Sequence, residues 1–347
     1  MSVTALSHTM LDDVLRCEKK YEYRYIRGYA KRVKAARVEK GDWVHVLLAA
    51  YWRALKEGND PQAAIEAEHQ RVRSEWWDVL FEEQQELLGA DLPDVCLGIA
   101  RRYAQHYYSF DVQNWRKILS VEAKVQVRFD WLPLPFTFKA DVIALDRQGW
   151  VWVIEHKVVG EIPNEDNRAA DTQGPRYMLA LQQMLASKGI RVKGVGVIYD
   201  YLRDRVPAVP QVNKDGSISK RWIDTDYETF RAAVEAQGLD VADYQDILDR
   251  IQREGRPYFE RWPVPRSQAR LEETARDMRA IAERRLVANG TAPIRTLDRT
   301  RCPWDCEFFP LCMVEVEGGD ISPMLRELYE VRGGDDGAGT QPGHGAE

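Results

Sequence analysis

Asp141, Glu155 and Lys157 are the residues of this chain best spaced to do chemistry together. They flank the run Ala140-Asp141-Val142-Ile143-Ala144-Leu145-Asp146-Arg147-Gln148-Gly149-Trp150-Val151-Trp152-Val153-Ile154-Glu155-His156-Lys157, which reads as a β-hairpin. The turn is residues 146–149, with Gly149 suited to the left-handed position of a short loop. A three-residue loop at 147–149 sets Asp141 directly opposite Glu155, with Cβ atoms roughly 4.5–5.5 Å apart. Two carboxylates that close repel unless a cation lies between them. Side chains alternate along a strand, so Lys157 shares the face of Glu155. Two acids and a lysine on one sheet face are the parts of a magnesium- or manganese-dependent phosphodiesterase.

Acid-x-lysine alone is a weak signal, and the chain carries it also at Glu18-Lys19-Lys20 and Glu122-Ala123-Lys124. Context separates the three. Glu18 lies in a charge-rich helical run, and Glu122 lies in an alternating strand with one solvated face. Only Glu155 ends an apolar strand with an acid placed to oppose it. The competing reading of the hairpin is an ordinary surface salt bridge.

The elements that must position these groups follow from periodicity and caps. A first helix is expected over 4–28 with Ser7 as cap, then helices over 41–57, 61–88 and 92–116. Strands follow near 119–130, 136–145 and 150–157, a helix over 172–188, and a strand over 191–201. Helices near 225–237 and 241–254, a strand near 257–263 and a long helix over 267–287 complete the pattern. His45 sits among apolar residues of the second helix, where a lone histidine is more often a core residue than a ligand. Asp171 or Thr172 caps the helix that begins Gln173-Gly174-Pro175-Arg176-Tyr177, and Gln173 and Tyr177 share one of its faces.

Taken in order, His45, Asp141, Glu155 with Lys157, and Gln173 with Tyr177 resemble the RecB-type branch of the PD-(D/E)XK nuclease superfamily. That order is a helix histidine, an acid, an acid-x-lysine after a strand, and Gln-x-x-x-Tyr opening the next helix. The resemblance covers most of residues 1–312. It implies an α/β, restriction-endonuclease-like fold, with a mixed central sheet flanked by helices. It also implies metal-dependent DNA cleavage with Mg²⁺ or Mn²⁺. His45, Asp141 and Glu155 would ligate the metal, with the His156 backbone carbonyl as a further ligand. Lys157 would orient the attacking water and stabilise charge on the phosphate. Gln173 and Tyr177 would position the DNA and the site.

Three of the five cysteines, Cys302, Cys306 and Cys312, crowd into eleven residues. Such clustering suggests thiolate ligands for zinc or an iron–sulfur cluster, with Cys17 the candidate fourth ligand. One cysteine near the start and three near the end resembles the iron–sulfur-clasped members of the family, among them CRISPR-associated RecB-like exonucleases and AddB-type nuclease domains. The resemblance implies a [4Fe-4S] cluster that ties the two chain ends into one helical unit, with zinc as the alternative. The three residues between Cys302 and Cys306 depart from the commoner spacing of two. Cys96 has no such company and reads as a core thiol.

The 347 residues, 44% of them apolar, can bury a sizeable core. The reading is one nuclease domain over 1–312: a helical region over 1–118, a nuclease core over 119–203, and a helical and cysteine-bearing region over 204–312. An acidic tail spans 313–347, disordered over 333–347. No apolar run approaches a membrane span and no secretory signal is expected, so the expected location is the bacterial cytoplasm, or the host cytoplasm for a phage protein. The net charge of −6 is unlike a nucleic-acid binder, but residues 313–347 hold eight acids and two arginines. Residues 16–40 hold ten Lys or Arg against three Glu, interleaved with tyrosines. That stretch is either a phosphate-contacting surface or a solvated helix face. Arg203, Arg205, Lys214, Lys220, Arg221 and Trp222 pose the same choice between DNA channel and exposed insertion.

No Gly-x-x-x-x-Gly-Lys-Ser/Thr element is present, so no ATPase is visible and a separate helicase or recombination protein is the expected partner beside DNA. The expected activity is a metal-dependent exonuclease on single-stranded DNA or DNA ends, in recombination, repair or phage replication. The alternatives are a CRISPR-type end-processing nuclease and a non-catalytic DNA-end-binding module.

Overall fold

The computed structural model describes residues 3–264, 267–287 and 292–332. The first expected helix is divided. Leu6–Ser7 (β1) is extended, and the Ser7 hydroxyl caps α1 (His8–Arg16) by accepting from Met10 N–H at 3.2 Å. Cys17 is extended, at φ −168° and ψ 113°, which breaks the helix before α2 (Glu18–Tyr21) and a π-helical turn at Glu22–Ile26. β2 (Tyr29–Lys31) precedes α3 (Ala36–Glu57), the helix that carries His45. α4 (Pro61–Val72) starts on Asp60, with Pro61 in the first turn, where its missing N–H leaves no bond unmade. The single helix expected over 61–88 instead turns π-helical at Arg73–Trp77 and resumes as α5 (Glu82–Leu88). α6 (Leu92–Asn114) leads into the sheet.

β3 (Trp115–Val127), β4 (Phe136–Asp146) and β5 (Trp150–Val159) form an antiparallel meander. After α7 (Glu165–Ala169), α8 (Gln173–Ser187) crosses over to β6 (Gly194–Arg203), which pairs with β5 in parallel. α9 (Tyr227–Ala236) and α10 (Gln245–Glu254) pack in a small cluster around Phe230 and Leu248, and β7 (Phe259–Pro263) returns antiparallel to β6. The strand order is β1-β4-β5-β6-β7, with β3 also on β4 and β1 parallel to it. This is the mixed sheet expected from the sequence.

The hairpin keeps the expected register, Val142 opposite Ile154 and Leu145 opposite Val151. Gly149 has φ 91°, and Asp146 ties the turn by accepting from the N–H groups of Gln148 and Trp150 at 2.9 and 2.8 Å. Both faces of β5 are covered. Val151 and Val153 join the core with Met178 and Leu181 of α8, whereas Ile154 joins Leu48 of α3 and Ile99 of α6. Burial on both faces explains the near-continuous apolar run of a parallel neighbour. On β6, Gly194 and Gly196 lie against the rings of Trp150 and Trp152, where an added Cβ would overlap the indoles.

The two chain ends meet. α11 (Gln268–Val287) lies against α1, and α12 (Cys302–Asp305), α13 (Phe309–Val316), α14 (Ser322–Leu328) and β8 (Tyr329–Val331) follow. β8 pairs antiparallel with β2. Residues 313–332, read from the sequence as the beginning of a tail, thus include a strand, one whole helix and half of another. The stretch 333–347 lies outside the described residues. Among the described residues no helix is long and apolar enough to cross a membrane.

The close fit of Gly196 under Trp152 sets an expectation. Gly196→Val should destabilise the protein by about 1–3 kcal/mol through overpacking, read as a lower midpoint in chemical denaturation, while Gly41→Ala in α3, where an added Cβ meets no atom within 4 Å, should cost nothing.

Candidate active site

The β4–β5 ladder ends at Val142 and Ile154, while β5 continues along β6 to Val159. Just beyond that last pair stand Asp141 and Glu155. Glu155 Oε1 accepts from Asp141 N–H at 3.4 Å, and Asp141 Oδ2 accepts from His156 N–H at 2.8 Å. α3 brings His45 Nδ1 to 3.3 Å from that same Oδ2, and His156 Nδ1 lies 3.2 Å from it. Lys157 Nζ is 3.8 Å from Glu155 Oε2 and donates to Gln173 Oε1 at 2.6 Å. Gln173 Nε2 donates to Glu155 Oε2 at 3.1 Å, so the first residue of α8 bridges the acid and the lysine. Thr172 stands at the N-cap position of α8 but makes no side-chain cap bond; the capping carboxylate is Asp171, which accepts from Gln173 and Gly174 N–H and from Tyr199 OH. Tyr177, one turn on, is buried against Phe138 with ring centroids 4.4 Å apart. All six side chains singled out by spacing, His45, Asp141, Glu155, Lys157, Gln173 and Tyr177, therefore converge.

The electrostatics follow from crowding two acids in a dry place. Burial and the neighbouring Asp141 charge push the Glu155 carboxyl up to about 8, against Lys157 and His45. Burial acts the same way on Asp141, but His45 and His156 outweigh it and hold that carboxyl well below the usual range. His45 is raised: burial opposes its charge, and Asp141 overrides burial. The pair is therefore asymmetric: its surroundings favour the ionised form of Asp141 and the protonated form of Glu155.

His45, Asp141 and His156 gather within 4.8 Å of one another, with the Glu155 carboxylate alongside, and the two carboxylates are the oxygen donors that a hard divalent ion takes. The imidazole of His156 was not foreseen as belonging to the site; the sequence expectation used only its backbone carbonyl. Glu122, the acid of an alternative acid-x-lysine, is instead paired with Lys139 and stands at a positive φ of 55°.

The cysteines gather where the chain ends meet. Burial raises the Cys306 thiol, and Cys302 and Cys17 are close enough to raise it further. Cys312 is buried with Tyr23, Phe308 and Tyr329, the cluster against which Cys306 packs. Cys96 is fully buried in the core. Around the cysteines, Tyr23 OH donates to Glu315 at 2.7 Å, Lys19 pairs with Glu22 and Glu315, and Arg24 pairs with Asp13 and Glu307. Half of the ten basic residues of 16–40, namely Lys19, Lys20, Arg24, Arg27 and Lys34, thus pair with the protein's own acids, and Tyr21 and Tyr23 are buried. Arg203 and Lys220 are likewise paired with Asp224 and Asp246, and Trp222 lies under Arg250.

A family model described as PD-(D/E)XK nuclease superfamily matches residues 5–313. Among curated proteins nothing matches the chain. A solved structure described as "Crystal structure of SSO0001" is similar at 9% identity, over 90% of this chain and 87% of that one, with a TM-score of 0.30. A likeness of that strength carries no argument.

The raised Glu155 carboxyl has a measurable consequence. Between its ordinary 4.5 and about 8 the folded protein holds a proton that the unfolded chain has lost, so stability of the metal-free protein falls as pH rises through that interval. The melting temperature of the wild type, taken relative to Glu155→Gln, should decline from pH 5 to pH 8. A flat difference would mean that the carboxyl is already charged.

Proposed function

The chain belongs to the PD-(D/E)XK nuclease superfamily, which implies a metal-dependent nuclease, and we propose that it is a DNA exonuclease of the RecB-like branch. The observation that carries this reading is the convergence of His45, Asp141, Glu155, Lys157 and Gln173 on one strand end. In it His45, Asp141 and Glu155 would hold Mg²⁺ or Mn²⁺, with the His156 carbonyl as a further ligand. The ion would supply Lewis-acid chemistry at the phosphate. Lys157, held by Gln173, stabilises charge developing on the scissile phosphate. Tyr177 packs beneath the site and fixes the α8 helix that presents Gln173. Single-stranded DNA or DNA ends are the proposed substrates, and a helicase or recombination protein the proposed partner.

We further propose that Cys17, Cys302, Cys306 and Cys312 hold a [4Fe-4S] cluster. Cys306 has Cys302 and Cys17 as neighbours and packs on the cluster that contains Cys312, which supports a shared site where the chain ends meet; zinc is the alternative occupant.

Two outcomes are expected. End-labelled DNA should be degraded with Mg²⁺ or Mn²⁺, not with chelator, and Glu155→Ala or Asp141→Ala should reduce cleavage to background with the fold retained; full activity in either variant removes the metal-site assignment. Purified protein should absorb in the visible and contain iron, and Cys17→Ala should lose the colour and melt at lower temperature. A colourless protein carrying zinc would replace the cluster with the simpler ion.

A further inference from the structure

We propose that the imidazole of His156 is a positioning residue for Asp141, locked in one tautomer by a buried polar network on the opposite side of the sheet from α8. The proposal rests on the reading of Asp141 as a metal-holding carboxylate. Residue 156 follows Glu155, so alternation turns its side chain away from Gln173 and toward α3 and α6. There it is buried, and Nε2 accepts from the indole N–H of Trp52 at 3.0 Å. An indole nitrogen is donor only, so Nε2 must present its lone pair and the ring hydrogen must sit on Nδ1. Nδ1 is the atom that lies 3.2 Å from Asp141 Oδ2, the oxygen that also accepts the backbone N–H of His156.

The second neighbour of the ring is consistent with this assignment. Tyr103 OH lies 3.4 Å from His156 Nε2, but its hydrogen goes to Asp200 Oδ2 at 2.6 Å, so it does not compete with Trp52. Asp200 is fully buried on β6, level with His156 in the parallel ladder, and Arg261 of β7 grips it through two bonds of 2.7 Å. The same guanidinium donates to Tyr103 OH at 3.1 Å and to Asp111 at 2.6 Å. Charge-paired, bidentate groups in a dry core are held rigidly because every alternative leaves one of them unpaired. With both ring nitrogens committed, His156 does not join the metal's ligands through its side chain. It fixes one carboxylate oxygen and so aims the other at the cation, as outer partners of metal ligands do.

The test is Mn²⁺ binding to the full chain without DNA, measured by electron paramagnetic resonance. His156→Asn places an amide N–H2 where Nδ1–H stood and should bind within about threefold of wild type. His156→Leu should bind about 10–100-fold more weakly. Asp141→Ala is the control for the site itself. Loss of binding in Asp141→Ala with wild-type affinity in His156→Leu overturns the positioning role and leaves the metal site standing. Wild-type affinity in Asp141→Ala overturns both. Nitrogen-15 spectra of the histidine-labelled wild type give a readout that needs no variant: a His156 ring protonated at Nδ1 alone is expected, and an Nε2–H tautomer overturns the proposal.

Discussion

Two carboxylates forced together at the open end of a hairpin are the constraint around which the rest of this structure is arranged. The register of β4 against β5 fixes their opposition, and the parting of the two strands after Val142 and Ile154 makes room between them. Left alone, the pair would repel in a poorly solvated place. The protein answers asymmetrically, with His45 and His156 on Asp141, and Gln173 and Lys157 on Glu155. These helpers come from three different elements: α3, β5 and α8. The sheet and its two helical layers are the frame that delivers them to within a few ångströms.

Much of this was legible in the sequence because it depends on local rules. Alternation and a glycine turn predict the hairpin register, since a slip of one residue would move every buried side chain to the wrong face. The cap at Asp171 and the four-residue step from Gln173 to Tyr177 follow from helix geometry. What was not legible depends on partners distant in the chain. The role of the His156 ring comes from Trp52, 104 residues away. Nothing near Asp200 or Arg261 announces that these two charges pair with each other beneath the sheet. The helix breaks were missed for a related reason. Cys17 and the π turn at Arg73–Trp77 interrupt runs whose composition is helical throughout. The tertiary setting outweighs propensity there.

The basic segment near the start shows how composition misleads when partners are out of view. Read alone, residues 16–40 look like a surface for phosphates. In the fold Lys19, Arg24 and Arg27 meet Glu307 and Glu315, almost three hundred residues on. The positive charge of one end and the negative charge of the other are halves of one joint, with the cysteines inside it.

That joint also sets the order in which the molecule can be built. The β3–β4–β5 meander uses neighbours in sequence and can form as soon as it leaves the ribosome. α1 packs on the core of the sheet, but β2 must wait for β8, the last described strand, some three hundred residues later. Through most of synthesis the carboxylate hairpin therefore exists while the N-terminal tyrosines and the edge of β2 stay uncovered. Such unpaired edges and apolar rings invite association with other chains. The far segment that carries Glu307, Glu315 and β8 thus acts as a closing latch, and the period before it shuts is when the protein is most exposed to aggregation.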